Sequence, residues 1–135
     1  MANVVNWFQI SGKDGASLAK FYKKVFDWKT SPGMGGMTMI ASEKGGIPGG
    51  IQTAQDGRAS IAVYAATADL KKHLAKVEKA GGKVALAPMD LGGGMGHIAG
   101  FLDPEGNWMG LWQEEQKPAK KATPASKAKK VAKKK

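Results

Sequence analysis

The sequence predicts an α+β domain built from two similar halves, followed by a separate basic tail. Three observations carry that prediction. The order strand, helix, strand, strand, strand is read twice along the chain. Asp14 and Asp69 each stand between a first strand and a helix, 55 positions apart. Nine of the 21 Lys+Arg residues are lysines in the last 19 positions, where no acid occurs.

The charge split decides how the composition is read. The chain has 135 residues and a formal net charge of +10. The first 116 residues hold 12 of the bases and all 11 acids, a net of +1. The pI of about 9.8 therefore describes a tail, and a wholly basic nucleic-acid-binding domain is disfavoured. With 42% hydrophobic residues, the body has enough apolar side chains for a real core. Cysteine is absent, which removes disulfides, thiolate metal sites and thiol nucleophiles. No apolar run approaches the ~20 residues of a membrane span. The N-terminus has no basic stretch leading into a long apolar run, so a secretory signal is not expected. A single soluble domain in the cytoplasm, with no membrane partner, is the expectation.

Each element follows from local pattern. Val4 to Ile10 reads as a strand with Val4, Phe8 and Ile10 on one face and Val5, Trp7 and Gln9 on the other; Asn6 interrupts the first set. Ser11-Gly12-Lys13-Asp14-Gly15 is a turn with helix-capping residues. Over residues 16–27, Leu18, Phe21, Tyr22 and Val25 fall at helical spacing, with Lys20, Lys23 and Lys24 on the solvated side. Pro32 and a glycine cluster follow, then short strands at Met37 to Ala41 and Ile47 to Thr53. The pattern restarts with a strand at Ser60 to Thr67. A helix follows over Asp69 to Ala80, with Leu70, Leu74 and Val77 on one side. Gly81-Gly82 is a common helix ending. Three more strands are predicted at Lys83 to Pro88, His97 to Leu102 and Asn107 to Trp112. Asp103-Pro104-Glu105-Gly106-Asn107 forms the turn before the last of them.

These residues carry a family likeness. Phe21-Tyr22-Lys23-Lys24-Val25-Phe26-Asp27-Trp28 resembles the "FY…vFGW" helix end of glyoxalase-like proteins, and Gly49-Gly50-Ile51 their "GGI" strand. Val77 to Val84 is similar to their second helix end. Asp103 to Asn107, with Gly110-Leu111-Trp112-Gln113, resembles their closing "DPEGN…GLWQ" hairpin. Four such motifs in order, over roughly residues 3–113, identify the chain as a member of the vicinal oxygen chelate superfamily. That superfamily holds glyoxalase I, ring-cleaving dioxygenases, fosfomycin-resistance enzymes and bleomycin-binding proteins. The resemblance implies two βαβββ modules, at about 3–55 and 58–114, forming a cupped mixed sheet within a domain of residues 1–116.

The resemblance also implies where a metal would be held. The first-strand ligand stands seven residues before the helix-opening aspartate, which here gives Trp7 and Ala62. The last-strand glutamate stands three after the residue closing the "DPEG" turn, which here is Gly110. The strand Ile47 to Thr53 lacks a corresponding acid. None of these side chains offers an oxygen or imidazole nitrogen to a divalent cation. No metal and no other cofactor is expected.

What remains is an aromatic wall. Parity gives Trp108, Gly110 and Trp112 a shared face in the last strand, Trp7 and Gln9 one in the first, and Ala62, Tyr64 and Ala66 one in the fifth. If Gly110 points into the cup, these line it. Trp7, Gln9, Tyr64, Trp108 and Trp112 are then the candidate ligand-binding residues, with Gln9 and the Tyr64 hydroxyl as polar anchors. The alternative is that the tryptophans fill the cavity as core or dimer contact. His97 is the weak catalytic candidate, set against a strand-end histidine with no chemistry; His73 reads as surface. Gly92-Gly93-Gly94-Met95-Gly96 lacks the features of a phosphate loop and reads as a mobile loop at the cleft mouth, where Met34, Met37, Met39 and Met95 offer an apolar lining. Asp103 and Glu105 read as turn residues.

The tail, 117–135, holds only Lys, Ala, Pro, Thr, Ser and Val, too little apolar area to fold. It resembles the Lys/Ala/Pro tails of linker histones and bacterial nucleoid proteins. Lys120, Lys121, Lys129, Lys130, Lys133, Lys134 and Lys135 are the polyanion-binding candidates. The favoured expectation is a metal-independent binder of a small apolar or aromatic molecule, with nonspecific nucleic-acid attraction through the tail and homodimer formation. Two alternatives stay open: a lyase or dioxygenase-like enzyme with an atypical site around His97, and a structural, nucleoid-associated interaction protein.

Overall fold

The computed structural model describes residues 2–115; Met1 and residues 116–135, and with them every tail lysine named above, lie outside the described residues. The described chain is α+β, with two helices and eight strands. In order these are β1 (Val5–Gly12), α1 (Gly15–Phe26), β2 (Thr30–Pro32), β3 (Thr38–Ile40), β4 (Gly49–Thr53), β5 (Ser60–Ala66), α2 (Leu70–Lys79), β6 (Lys83–Asp90), β7 (His97–Leu102) and β8 (Trp108–Gln113). No helix is long and apolar enough to cross a membrane among the described residues.

The strand β2 is a finding that the sequence patterning did not anticipate. Pro32 reads as a break, yet it ends a short strand that pairs antiparallel with β3, Thr30 opposite Ile40 and Pro32 opposite Thr38. Proline is tolerated there because β2 ends the strand order, so its missing N–H interrupts no central ladder.

The chain forms two compact units. The first is Met1–Ala66 with Trp108–Gly110. Its strands run β2-β3-β4-β1-β5. β1 is parallel to β4 and antiparallel to β5, so the pairing is mixed. α1 begins where Asp14 accepts hydrogen bonds from the Ser17 backbone N–H at 3.2 Å and its hydroxyl at 2.9 Å. It ends at Asp27, which adopts the left-handed conformation (φ 58°) and donates its N–H to the Lys23 carbonyl at 2.8 Å. Ile10, Ile40 and Ile51 form the core beneath α1, with Phe8, Leu18, Ala19, Tyr22 and Trp28 packed against them.

The second unit is, among the described residues, Thr67–Asn107 with 111–115. Asp69 caps α2 by accepting from the Lys72 N–H at 3.1 Å, as Asp14 does for α1. The Gly81-Gly82 ending holds: the Gly82 N–H donates to the Val77 carbonyl at 2.9 Å, and Gly81 has φ 104°. Leu70 and Leu74 are the buried face of α2. The 103–107 turn is held by the Asp103 carboxylate, which accepts from the backbone N–H groups of Glu105 and Asn107 and from the Asn107 side chain, each at 2.9 Å. Those bonds hold its carboxyl below the ordinary aspartate value. Asp103 is thereby structural, and Glu105 is exposed.

Candidate functional site

Strand alternation and register assemble the site in the first unit. Gln9 lies opposite Ala62 of β5 and Gly50 of β4, and Trp7 lies opposite Tyr64. Directly paired residues project to the same face. Trp7, Gln9, Ser11, Ala62, Tyr64 and Gln52 therefore share one face, turned away from the Ile10–Ile51 face that α1 covers.

Two hydrogen bonds link polar groups on that face. The Trp7 indole Nε1–H donates to Gln9 Oε1 at 2.8 Å. The Gln52 amide donates to the Ser11 hydroxyl at 3.2 Å. Gln9 is only 7% exposed, and its Nε2 is buried with no protein acceptor. Tyr64 meets Trp108 edge to face, ring centres 5.8 Å apart. Burial pushes the Tyr64 phenol above its ordinary value, so it stays protonated and neutral at physiological pH. Trp108 is the outermost of the set, 36% exposed.

Two glycines make room for these aromatics. A Cβ on Gly50 would stand 2.8 Å from Met37 Sδ and 3.0 Å from the Trp7 ring. A Cβ on Gly110 would overlap the Tyr64 ring. These contacts test the metal site that the family likeness implies. Trp7, Ala62 and Gly110 supply no ligand atom, and the Tyr64 ring lies where a side chain at Gly110 would begin. The residues at these positions do not fit a divalent metal.

The other candidates belong to the second unit. The Trp112 indole N–H donates to the Met95 carbonyl at 2.9 Å. The glycine loop contains a turn, with that bond, Leu91 N–H to the Gly96 carbonyl at 2.9 Å and Gly92 N–H to Asp90 Oδ1 at 2.8 Å. His97 faces Asp90 across the β6–β7 pair, Nε2 to Oδ2 3.8 Å. Glu115 approaches the same pair, the three ligand atoms lying within 4.8 Å of one another, and both acids are exposed. His73 is half-buried rather than on the surface, with Nδ1 hydrogen-bonded to the Thr67 hydroxyl. The two histidines thus have separate partners.

Ser11 and Gln52 were not singled out by sequence reasoning. Ser11 was within reach, standing two positions after Gln9. Gln52 required the parallel β1–β4 register, which no local pattern encodes. On the α1 side of the unit, an open depression of about 650 Å³ is lined by Ile10, Leu18, Phe21, Tyr22 and Ile61, with Asp14 among its polar residues.

Comparisons with known proteins place the fold. Residues 4–111 match the Glyoxalase/Bleomycin resistance protein/Dioxygenase superfamily. The chain is 33% identical over 127 residues to the anthracycline biosynthesis protein DnrV of Streptomyces peucetius; the match covers 80% of this chain but only 46% of that relative. Among solved structures, a hypothetical protein BH1468 from Bacillus halodurans C-125 superposes with TM-score 0.64 at 12% identity, covering 87% of this chain and 99% of that one. A methylmalonyl-CoA epimerase in complex with methylmalonyl-CoA and NH4+ superposes with TM-score 0.60 at 15% identity, covering 87% and 100%. At those identities the structural likeness is one of fold.

Proposed function

The chain belongs to the Glyoxalase/Bleomycin resistance protein/Dioxygenase superfamily, and within it we propose that it binds a small apolar or aromatic molecule without the divalent metal of the enzymatic members. The observation that carries this is the Tyr64 ring packed over Gly110, with Trp7 and Ala62 at the other ligand positions. The Lewis-acid site is replaced by an aromatic one. Trp7, Tyr64 and Trp108 supply flat apolar surface, and Gln9 and the Tyr64 hydroxyl supply hydrogen bonds. The likeness to an anthracycline biosynthesis protein supports an aromatic ligand. The chain spans about half the length of that relative, so the likeness extends to a domain and not to a whole activity.

Tryptophan fluorescence titrated with a panel of small aromatics tests the reading. Saturable changes are expected, and flat responses across the panel overturn it. Metal analysis of purified protein is the second arm: stoichiometric Zn, Ni, Mn or Fe overturns the metal-free mechanism and favours an enzyme.

The tail adds a tether. Its nine lysines attract nucleic acid without reading sequence, since no aromatic residue is available to stack on bases. If all contacted phosphates, the logarithmic salt slope on DNA would approach about −8. Gel shifts with and without residues 117–135 decide this, and equal affinities remove the tail from the account. A protein held on nucleic acid in this way would be nucleoid-associated within the cytoplasm.

A further inference from the structure

We propose that Gln9 selects the ligand: the site takes a neutral, flat aromatic molecule bearing a carbonyl-type hydrogen-bond acceptor. This rests on the small-molecule reading above and gives it a chemical class.

The argument begins with the orientation of one amide. An indole N–H can only donate. The 2.8 Å bond from Trp7 Nε1 therefore fixes which end of the Gln9 amide is oxygen. The other end, Nε2, is an obligate donor. It is buried with no protein acceptor, in a side chain that is itself 7% exposed. Buried polar groups are nearly always paired, and an orphaned one calls for a partner from a water, an ion or a ligand. The partner of a donor must be an acceptor.

Charge narrows the class further. Trp7, Gln9, Ser11, Gln52, Ala62 and Tyr64 share the face, and none carries a charge. A carboxylate or phosphate bound there would lose its hydration without a cation to replace it. A ketone oxygen would lose little and gain the Gln9 bond. The rings of Trp7 and Tyr64 set the shape of the rest of the ligand. Because Nε2 is closed off from solvent, binding requires a rotamer change at the site, of a kind common at interfaces.

The test uses the full chain and three naphthalenes of similar size: 2-acetylnaphthalene, 2-isopropylnaphthalene and 2-naphthoate. Dissociation constants come from calorimetry. The Gln9 side-chain NH2 signals, assigned by their loss in Gln9→Leu, are followed in 15N-edited spectra. The ketone is expected to bind about tenfold more tightly than its hydrocarbon isostere, with the naphthoate weakest. Only the ketone should move the Gln9 NH2 pair, and Gln9→Leu should erase the tenfold preference. Equal binding of ketone and hydrocarbon, or a preference that survives in Gln9→Leu, overturns the selection by Gln9 and leaves aromatic binding standing. Failure of all three to bind overturns both readings. Should Gln9→Leu not fold, Gln9→Met supplies both the assignment and the selectivity comparison, with the same outcomes.

Discussion

The two faces of the β1–β4–β5 sheet are made by the same strands and solve different problems. On one, Ile10, Ile40 and Ile51 sit under α1, and aromatic rings from α1 and its end complete the cover: Tyr22 stacks on Trp28 at 5.7 Å, and Phe8 lies 5.5 Å from Trp28. Nothing polar is stranded there. On the other, Trp7 pairs with Gln9 and Gln52 with Ser11, Tyr64 meets Trp108, and one buried donor is left over. Gly49-Gly50 shows the contrast within one dipeptide. Alternation sends Gly49 beneath the Phe8 ring on the helix face and Gly50 beneath Trp7 on the other. The apolar face is optimised for stability, and the polar-aromatic face keeps an unmet hydrogen bond that a pure core would have designed out.

Four substitutions or titrations break or sharpen that contrast. The largest effect is expected from Gly110→Glu, which restores the family's ligand type. It drives a side chain into the Tyr64 ring and buries a carboxylate, at a cost of about 4 kcal/mol or more in urea unfolding. Wild-type stability in this variant would remove the steric basis of the metal-free reading. Next, Ile51→Ala on the apolar face should cost about 2–5 kcal/mol, because Ile51 is 1% exposed. Naphthalene affinity should stay unchanged; a parallel loss of binding would show that the faces are not independent. Gly50→Ala should cost less, about 1–2 kcal/mol, since Met37 Sδ is the flexible end of its side chain and can give way. The smallest effect is acid dependence. Hydrogen bonds from Ser17 hold the Asp14 carboxyl below its ordinary value of 3.8. The stability it contributes is therefore present above pH 3.8 and lost as pH falls through the lowered value. Asp14→Ala should flatten that part of the acid unfolding curve, and an unaltered curve would argue against the cap.

Much of this was legible because the signals are local. Asp14 and Asp69 announced both helix starts, Gly81-Gly82 announced an ending, and the Asp103–Asn107 turn folds on bonds among its own residues. Strand parity likewise put Trp7 with Gln9 and Ala62 with Tyr64. β2 was hidden because three residues ending in proline carry no periodicity. His73 read as surface because Thr67, its partner, lies six positions away across the start of α2. Gln52 was hidden because its role depends on a parallel register that closes only after α1 and β2–β3 have been traversed.

By itself, then, the sequence determined the α+β class, the family and the helix starts, since each depends on which residue types stand at short, countable spacings. The +10 charge was divided in the same way, into a body of +1 and a lysine tail. Only the tertiary structure decided what surrounds the family's metal-ligand positions. The Tyr64 ring over Gly110 and the donor left over on Gln9 arise between strands distant in sequence, where register and steric overlap, and not composition, set which atoms meet.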